Sequence, residues 1–544
     1  PVAHSFPTRR SSDLIPERTL LHDEFPDWKK MNYASWSDHR EFMDDTFADV
    51  LTACTRSVHE QYPDLPCGIL GTQLASAYGG FNYPKLLKAV DWLEPCGMDG
   101  SWEMLTSWAR PGQRFAKTVA MGRMDIQRYA VNSLFLKGAH GVILDLPRRF
   151  WRKGTPRAAT FPALKTTFRE LTSGIARLRF LAEKAFDPVG IYHNHASQRY
   201  SWLTDAMMDG TAWPRRLTFH HQPRSSIRRT MTALFLAVED NGFQARAVSG
   251  AQTAEGSLDK TGLKVIFLPR IAALSAKEAA ALTAWVENGG TLVTDGALGT
   301  MDPRCCRRKE GLLDELAGIT RTGFRLSDLN GGYMPWYRGL VKRANPEGPS
   351  EENLLKGVDE SLLLIHSPDL RAGNAEVLAA AGEIPALTVR DVGKGRVICA
   401  NIYWADYIRK RERGPSGNDI RRLCGNILQK AGLRSRYQVL RTEDSSPASG
   451  IEQYFWKDGR IGYAALNKQG RPIEFPHQSR KYHHNYKSVT EISPAYWIPP
   501  ITARGRMNVY NIQPGEPVPL SVVFPSKHHI YNRSEERRVG KECA

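Results

Sequence analysis

The run Val90-Asp91-Trp92-Leu93-Glu94 decides the fold class of the amino-terminal third, because it is one of a series. Cys67-Gly68-Ile69-Leu70-Gly71 precedes it, and Phe115-Ala116-Lys117-Thr118-Val119 and Gly141-Val142-Ile143-Leu144-Asp145 follow. Each is a short, mostly apolar run of the kind that forms a strand buried on both faces. Amphipathic segments alternate with them. A helix is predicted from Ser37 to Glu60, with Phe42, Phe47, Val50, Leu51 and Val58 on one face and Asp38 near its positive end. Tyr62-Pro63-Asp64 turns the chain after it, and further helices are predicted from Met124 to Lys137 and from Pro162 to Ala185. Strands alternating with helices predict a parallel sheet with right-handed crossovers. Four such strands make half of a (β/α)8 barrel, with open strand edges.

A second α/β unit follows from Asp187. Val189–Tyr192, Ala245–Val248, Leu263–Leu268 and Thr291–Thr294 are its predicted strands. Helix Ile227 to Asn241 stops at Gly242, a suitable C′ residue. Ser275 caps helix Ala276 to Asn288, and Glu278 completes a capping box. Ile384–Val389, Gly393-Lys394-Gly395 and Arg396–Ala400 predict a hairpin that extends the sheet, and a helix follows from Asn418 to Ala431. From Tyr437 the chain is β-rich with many Pro and Gly, which predicts a small, partial β-sandwich.

Composition removes several classes. At 544 residues and 41% hydrophobic, the chain can bury several cores and is neither disordered nor fibrous. No window holds the roughly 18 uninterrupted apolar residues of a membrane span. The eight Cys show no C-x-x-C spacing, which argues against a zinc ribbon or dithiol, and Cys305-Cys306 is read as two ordinary thiols. His193-x-His195 and His220-His221 lack a companion ligand at helpful spacing, so neither a metal nor a cofactor is expected. Lys plus Arg exceed Asp plus Glu by 74 to 57, giving +17, but the Arg pairs are scattered and no nucleic-acid motif accompanies them. A solvated basic surface is expected, with a polyanionic glycan as the alternative. The terminal strings 1–14 (PVAHSFPTRRSSDL) and 533–544 (RSEERRVGKECA) carry no periodicity and resemble translated sequencing adapter, so a fragment is expected and its compartment is open.

The residues then suggest a family. Asn32-Tyr33-Ala34-Ser35-Trp36-Ser37-Asp38-His39-Arg40-Glu41-Phe42-Met43-Asp44-Asp45, Gly71-Thr72-Gln73, Tyr78-Gly79-Gly80 and Asp91-Trp92-Leu93-Glu94-Pro95 together resemble the second half of the catalytic barrel of β-galactosidase-like enzymes around glycoside hydrolase family 42. The resemblance implies an α/β chain in three parts. Residues 15–186 would be the C-terminal half of a TIM barrel. Residues 187–436 would be a flavodoxin- or class I glutamine amidotransferase-like trimerisation domain, and 437–532 the partial sandwich. It also implies a carbohydrate substrate, a homotrimer in the parent protein, and hydrolysis by two carboxyl groups.

Counted from the end of such a barrel, the four strands are five to eight. The acid/base of strand four would then lie upstream, and strand seven ends in Thr118-Val119-Ala120-Met121-Gly122, without a carboxylate. Catalytic candidates at strand ends are Glu94 and Glu103, the latter beside Trp102. Asp145, with Arg148, ends the last strand. Gln73, Tyr78, Trp92, Trp102 and Trp108 complete the sugar-binding candidates, since flat rings suit pyranose faces and polar groups suit hydroxyls; Trp151, Asn82 and Arg110 lie nearby. Neither Pro269-Arg270 nor Asp295-Gly296 supplies the nucleophilic Cys of an amidotransferase, so a scaffolding role is expected for the second unit. The alternatives are a catalytically silent carbohydrate-binding or trimer-scaffolding protein and, more remotely, a nucleic-acid binder.

Overall fold

The computed structural model describes residues 33–72, 75–77, 79–95, 101–120, 134–135, 137–145, 151–152, 155–156, 183–206, 225–322, 339–346, 354–411, 415–435, 451–457, 462–468 and 508–512. The amino-terminal unit runs α1 (Ala34–Gln61), β1 (Gly68–Thr72), α2 (Tyr83–Ala89), β2 (Trp92–Pro95), α3 (Ser101–Trp108), β3 (Arg114–Ala120) and β4 (Gly141–Asp145). Its sheet has the order β1-β2-β3-β4, and every pair is parallel. Sequential neighbours joined by helical crossovers are what consecutive strands of a barrel produce.

Side-chain alternation separates the two faces of this sheet. Leu93 and Phe115 are paired in register and buried with Leu86, Trp102 and Leu105 of α2 and α3, so they mark the helix side. Trp92, Glu94, Ala116, Thr118, Gly141 and Ile143 alternate with the helix-side positions and belong to the inner face. Gly68 is required there, since a Cβ would lie 2.3 Å from the Trp92 ring.

The second unit contains β5 (Val189–His193), α4 (His195–Ala206), α5 (Ser226–Glu239), β6 (Arg246–Ser249), β7 (Val265–Leu268), α6 (Ala276–Glu287) and β8 (Thr291–Thr294). It continues with β9 (Lys342–Arg343), β10 (Glu376–Ala381), β11 (Ile384–Val392), β12 (Gly395–Ala400) and α7 (Pro415–Lys430). The sheet order is β9-β10-β11-β12-β8-β7-β5-β6. Its five parallel strands follow the flavodoxin-like order 2-1-3-4-5, with an antiparallel extension through β11, β10 and β9. The Ser275 capping box forms as expected.

Two expectations are corrected. On the predicted apolar face of α1, Phe47 and Leu51 pack against the core, but Phe42 and Val50 are exposed (54% and 55%), and Trp36, Ser37, Arg40 and Asp44 are buried instead. Hydrophobic periodicity finds only part of the packed surface of this helix, because its first turns dock on a mixed polar and aromatic surface. Arg199 of α4 donates to Ser37 Oγ at 3.0 Å and to Glu41 Oε2 at 3.1 Å, and Trp36 stacks on Trp202 at 5.3 Å. Second, Glu183–Lys184, expected at the end of a helix, form a strand against Trp456–Lys457. Among the described residues, Ile451–Lys457, Gly462–Lys468 and Asn508–Ile512 form one antiparallel sheet with Glu183–Lys184, and the rest of the expected partial sandwich lies outside the described residues. Nearly all of the predicted helices 124–137 and 162–185 lies outside the described residues.

Candidate active site

In a parallel sheet the carboxyl ends of the strands, with the loops that follow, are where ligands bind. Glu94 stands at that end of β2, on the inner face, and is 2% exposed. Its two oxygens reach sideways rather than outward. The Gly71 amide donates to Oε2 at 2.6 Å and the Thr118 amide donates to Oε1 at 2.7 Å. Gly71 has φ +70° and falls where the β1–β2 register shifts, a bulge that turns its N–H out of the ladder toward the carboxylate. One side chain therefore ties the mouths of β1, β2 and β3 together through charge-assisted hydrogen bonds. On the helix side, Lys117 is buried and donates to Pro95 O at 2.8 Å, a second tie between β3 and β2.

The other sequence candidates separate into groups. Glu103 sits in the first turn of α3 within the helix layer, 3.7 Å from Lys137 Nζ, and its Oε2 is buried without a hydrogen-bond partner. Trp102 is fully buried, edge-on to Phe115 at 6.2 Å. Trp108 is buried and its Nε1 donates to Ala247 O of the second unit at 3.1 Å. Neither indole offers a free face to a sugar; Trp102 holds α3 to β3 and Trp108 ties it to the second unit. Trp92 begins β2, so it lies at the amino end of the strand, away from Glu94, with its ring over Gly68. Asp145 ends β4 opposite Ala120. Gln73, Tyr78 and Arg148 lie outside the described residues.

No family model matches the chain, and no curated protein matches it in sequence. Solved structures do match. A β-galactosidase from Bacillus circulans sp. alkalophilus superposes with TM-score 0.58 at 16% identity, covering 80% of this chain and 62% of that one. A catalytic mutant of a glycoside hydrolase family 42 β-galactosidase from G. stearothermophilus gives TM-score 0.55 at 13% identity, with coverage of 80% and 62%. An α-L-fucosidase isoenzyme from Paenibacillus thiaminolyticus gives 0.53 at 12%, with 80% and 61%. The fold is β-galactosidase-like. The chain spans about 62% of the length of the β-galactosidase structures it matches.

Within this β-galactosidase-like fold, residues the sequence singled out one by one, His193, His195, Arg270 and Asp295, join two buried polar clusters at the carboxyl ends of the second sheet. The first lies at the carboxyl end of β5, next to the switch point between β5 and β7 where flavodoxin-like sheets hold ligands. His195 Nε2 meets Asp44 of α1 at 3.0 Å, and Asn194 and Ser197 donate to Ala273 O, each at 2.8 Å. Helix α1 thus docks at this end of the second sheet. Burial pushes His193 beside it down to about 3, with His195 adding to the effect.

The second cluster follows β7, where Arg270 adopts φ +53°, a left-handed turn rare for a non-glycine residue. Its amide donates to Asp295 Oδ2 at 2.8 Å and its guanidinium contacts His366, which stacks on Tyr403. Burial raises Asp295 to about 6. The turn after the strand carries Arg rather than a nucleophile. The only available sequence signal was a long charged residue after a fully apolar strand.

Proposed function

We propose that the protein to which this chain belongs acts on carbohydrate as a β-galactosidase-like glycoside hydrolase, cleaving bonds in galactosides or related glycans, with the sugar at the carboxyl ends of β1–β4. The observation that carries the reading is Glu94, a buried carboxylate on the inner face at that end of a β-galactosidase-like fold. Glycosidic cleavage needs carboxyl groups around an oxocarbenium-like transition state. We assign Glu94 to that set, as the group fixed by the strand ends, and Glu103 to the helix layer. Gln73 and Tyr78 after β1, and Asp145 and Arg148 at the end of β4, are assigned to sugar contacts. Assembly of the parent as a homotrimer through residues 187–436 belongs to the same proposal.

A second reading is a barrel that binds sugar without turning it over. It draws support from Glu94, both of whose oxygens already accept backbone amides. Titrating the protein with aryl glycosides and oligosaccharides, while following hydrolysis and heat of binding together, separates the two. Hydrolysis abolished in Glu94→Gln supports the first reading. Binding with no turnover supports the second, and neither binding nor turnover across the panel defeats both.

A further inference from the structure

The opposite end of the amino-terminal sheet gathers a set of side chains that the carbohydrate reading does not use. His59 lies in the last turn of α1, Cys67 immediately precedes β1, and Asp91 immediately precedes β2. One donor atom from each lies within 4.8 Å of the other two. His59 Nε2 is 3.0 Å from Asp91 Oδ2, and the Cys67 amide donates to that same oxygen at 2.9 Å. Three separate elements thus converge on one point.

The donor set is a nitrogen, a sulfur and a carboxylate oxygen. Ca²⁺ and Mg²⁺ prefer oxygen alone, whereas a borderline-soft ion accepts this mixture. Tetrahedral zinc with bonds of about 2.0–2.3 Å places its ligand atoms about 3.3–3.8 Å apart. With every pair inside 4.8 Å and the His59–Asp91 pair at 3.0 Å, small side-chain adjustments bring the three atoms to that spacing. The carboxyl-terminal carbonyls of the long helix α1 add negative potential at His59. The side chains of His59 and Asp91 are about one-third exposed, at 34% and 33%. Cavities of about 450 and 240 Å³ open beside them, both lined by His59, Asp91 and Arg110. Arg110 is drawn to the Val90 carbonyl at 3.0 Å.

We propose that His59, Cys67 and Asp91 bind one Zn²⁺ ion, with water as the fourth ligand. The ion fastens the end of α1 to the amino rim of β1 and β2. Binding deprotonates the Cys67 thiol and releases that proton to solvent. The proposal is independent of the carbohydrate reading, since it concerns the other end of the strands.

Cobalt is the probe. The full chain is stripped with a chelator and titrated with Co²⁺. One equivalent is expected to bind, with a thiolate-to-cobalt charge-transfer band that Zn²⁺ abolishes by displacement. Cys67→Ser is expected to remove the band and weaken Co²⁺ binding at least about tenfold. Cys54→Ser, an exposed thiol on α1, is expected to leave both unchanged. His59→Gln, read by competition with a zinc indicator, supplies a second variant whose zinc affinity falls by a similar factor. Absence of the band, its survival in Cys67→Ser, or unchanged zinc affinity in His59→Gln overturns the proposal.

Discussion

Replacing Glu94 by Gln tests whether one carboxylate holds three strand ends. The native side chain presents two acceptor oxygens to the Gly71 and Thr118 amides at 2.6 and 2.7 Å. An amide has one oxygen, so its NH₂ must face one of those N–H donors. One charge-assisted hydrogen bond is lost and one donor is left without an acceptor inside the sheet. Each such loss is worth about 1.5–3 kcal/mol, so we expect about 2–3 kcal/mol here. The chain holds several units, so a global melting curve would blur the effect. Native-state hydrogen exchange on peptides covering β1 and β3 reads this sheet directly. The predicted loss corresponds to exchange about 30- to 140-fold faster in those peptides, at about tenfold per 1.4 kcal/mol, with β7 and β8 unchanged. Rates within about threefold of the parent would refute the clamp.

The two buried titratable groups should pull stability in opposite directions with pH. His193 is held neutral, with its pKa near 3 in the folded chain against the ordinary 6.5, so its contribution is complete above about pH 6.5 and is lost as pH falls. Relative to His193→Leu, the parent should lose about 2 kcal/mol between pH 7 and pH 5, read by native-state hydrogen exchange on peptides covering β5; equal losses would contradict the burial. Asp295 is raised from 3.8 to about 6, so the folded state holds a proton that the unfolded state has released. Stability should therefore fall by on the order of 2–3 kcal/mol as pH rises from about 4 to 6, and Asp295→Asn should remove that slope in urea titrations. Trp102→Ala should cost about 3–5 kcal/mol by chemical denaturation, because the indole is fully buried against Phe115. A sugar-facing ring would instead leave stability nearly unchanged.

The parallel strands were legible because each is a short apolar run between turn residues, and Thr291–Thr294 falls where the sequence placed it. The packing of α1 was legible only in part. Periodicity places Phe47 and Leu51 against the core correctly but counts the exposed Phe42 and Val50 with them, and the helix also docks through Ser37, Asp44 and Trp36 on residues more than a hundred positions away, a surface no local pattern records. Two of the aromatic candidates are buried for a related reason. Trp102 and Trp108 lie in a polar stretch, yet the face of α3 they occupy is covered by β3 and by β6 of the second unit. Glu94 was legible as a strand-end carboxylate, but the bulge at Gly71 that supplies one of its donors is a property of strand pairing. The His59, Cys67 and Asp91 grouping spans a helix end and two strand starts, so their spacing in sequence resembles no metal motif.

Saccharide binding at the carboxyl ends of β1–β4 is the central claim. Thr118→Trp places an indole on the inner face beside Glu94, while Arg114→Ala alters the start of the same strand at the far end. Calorimetric titration with the best saccharide of the panel should show binding lost in the first variant and retained in the second. Binding that survives Thr118→Trp, or that disappears only in Arg114→Ala, would contradict the account.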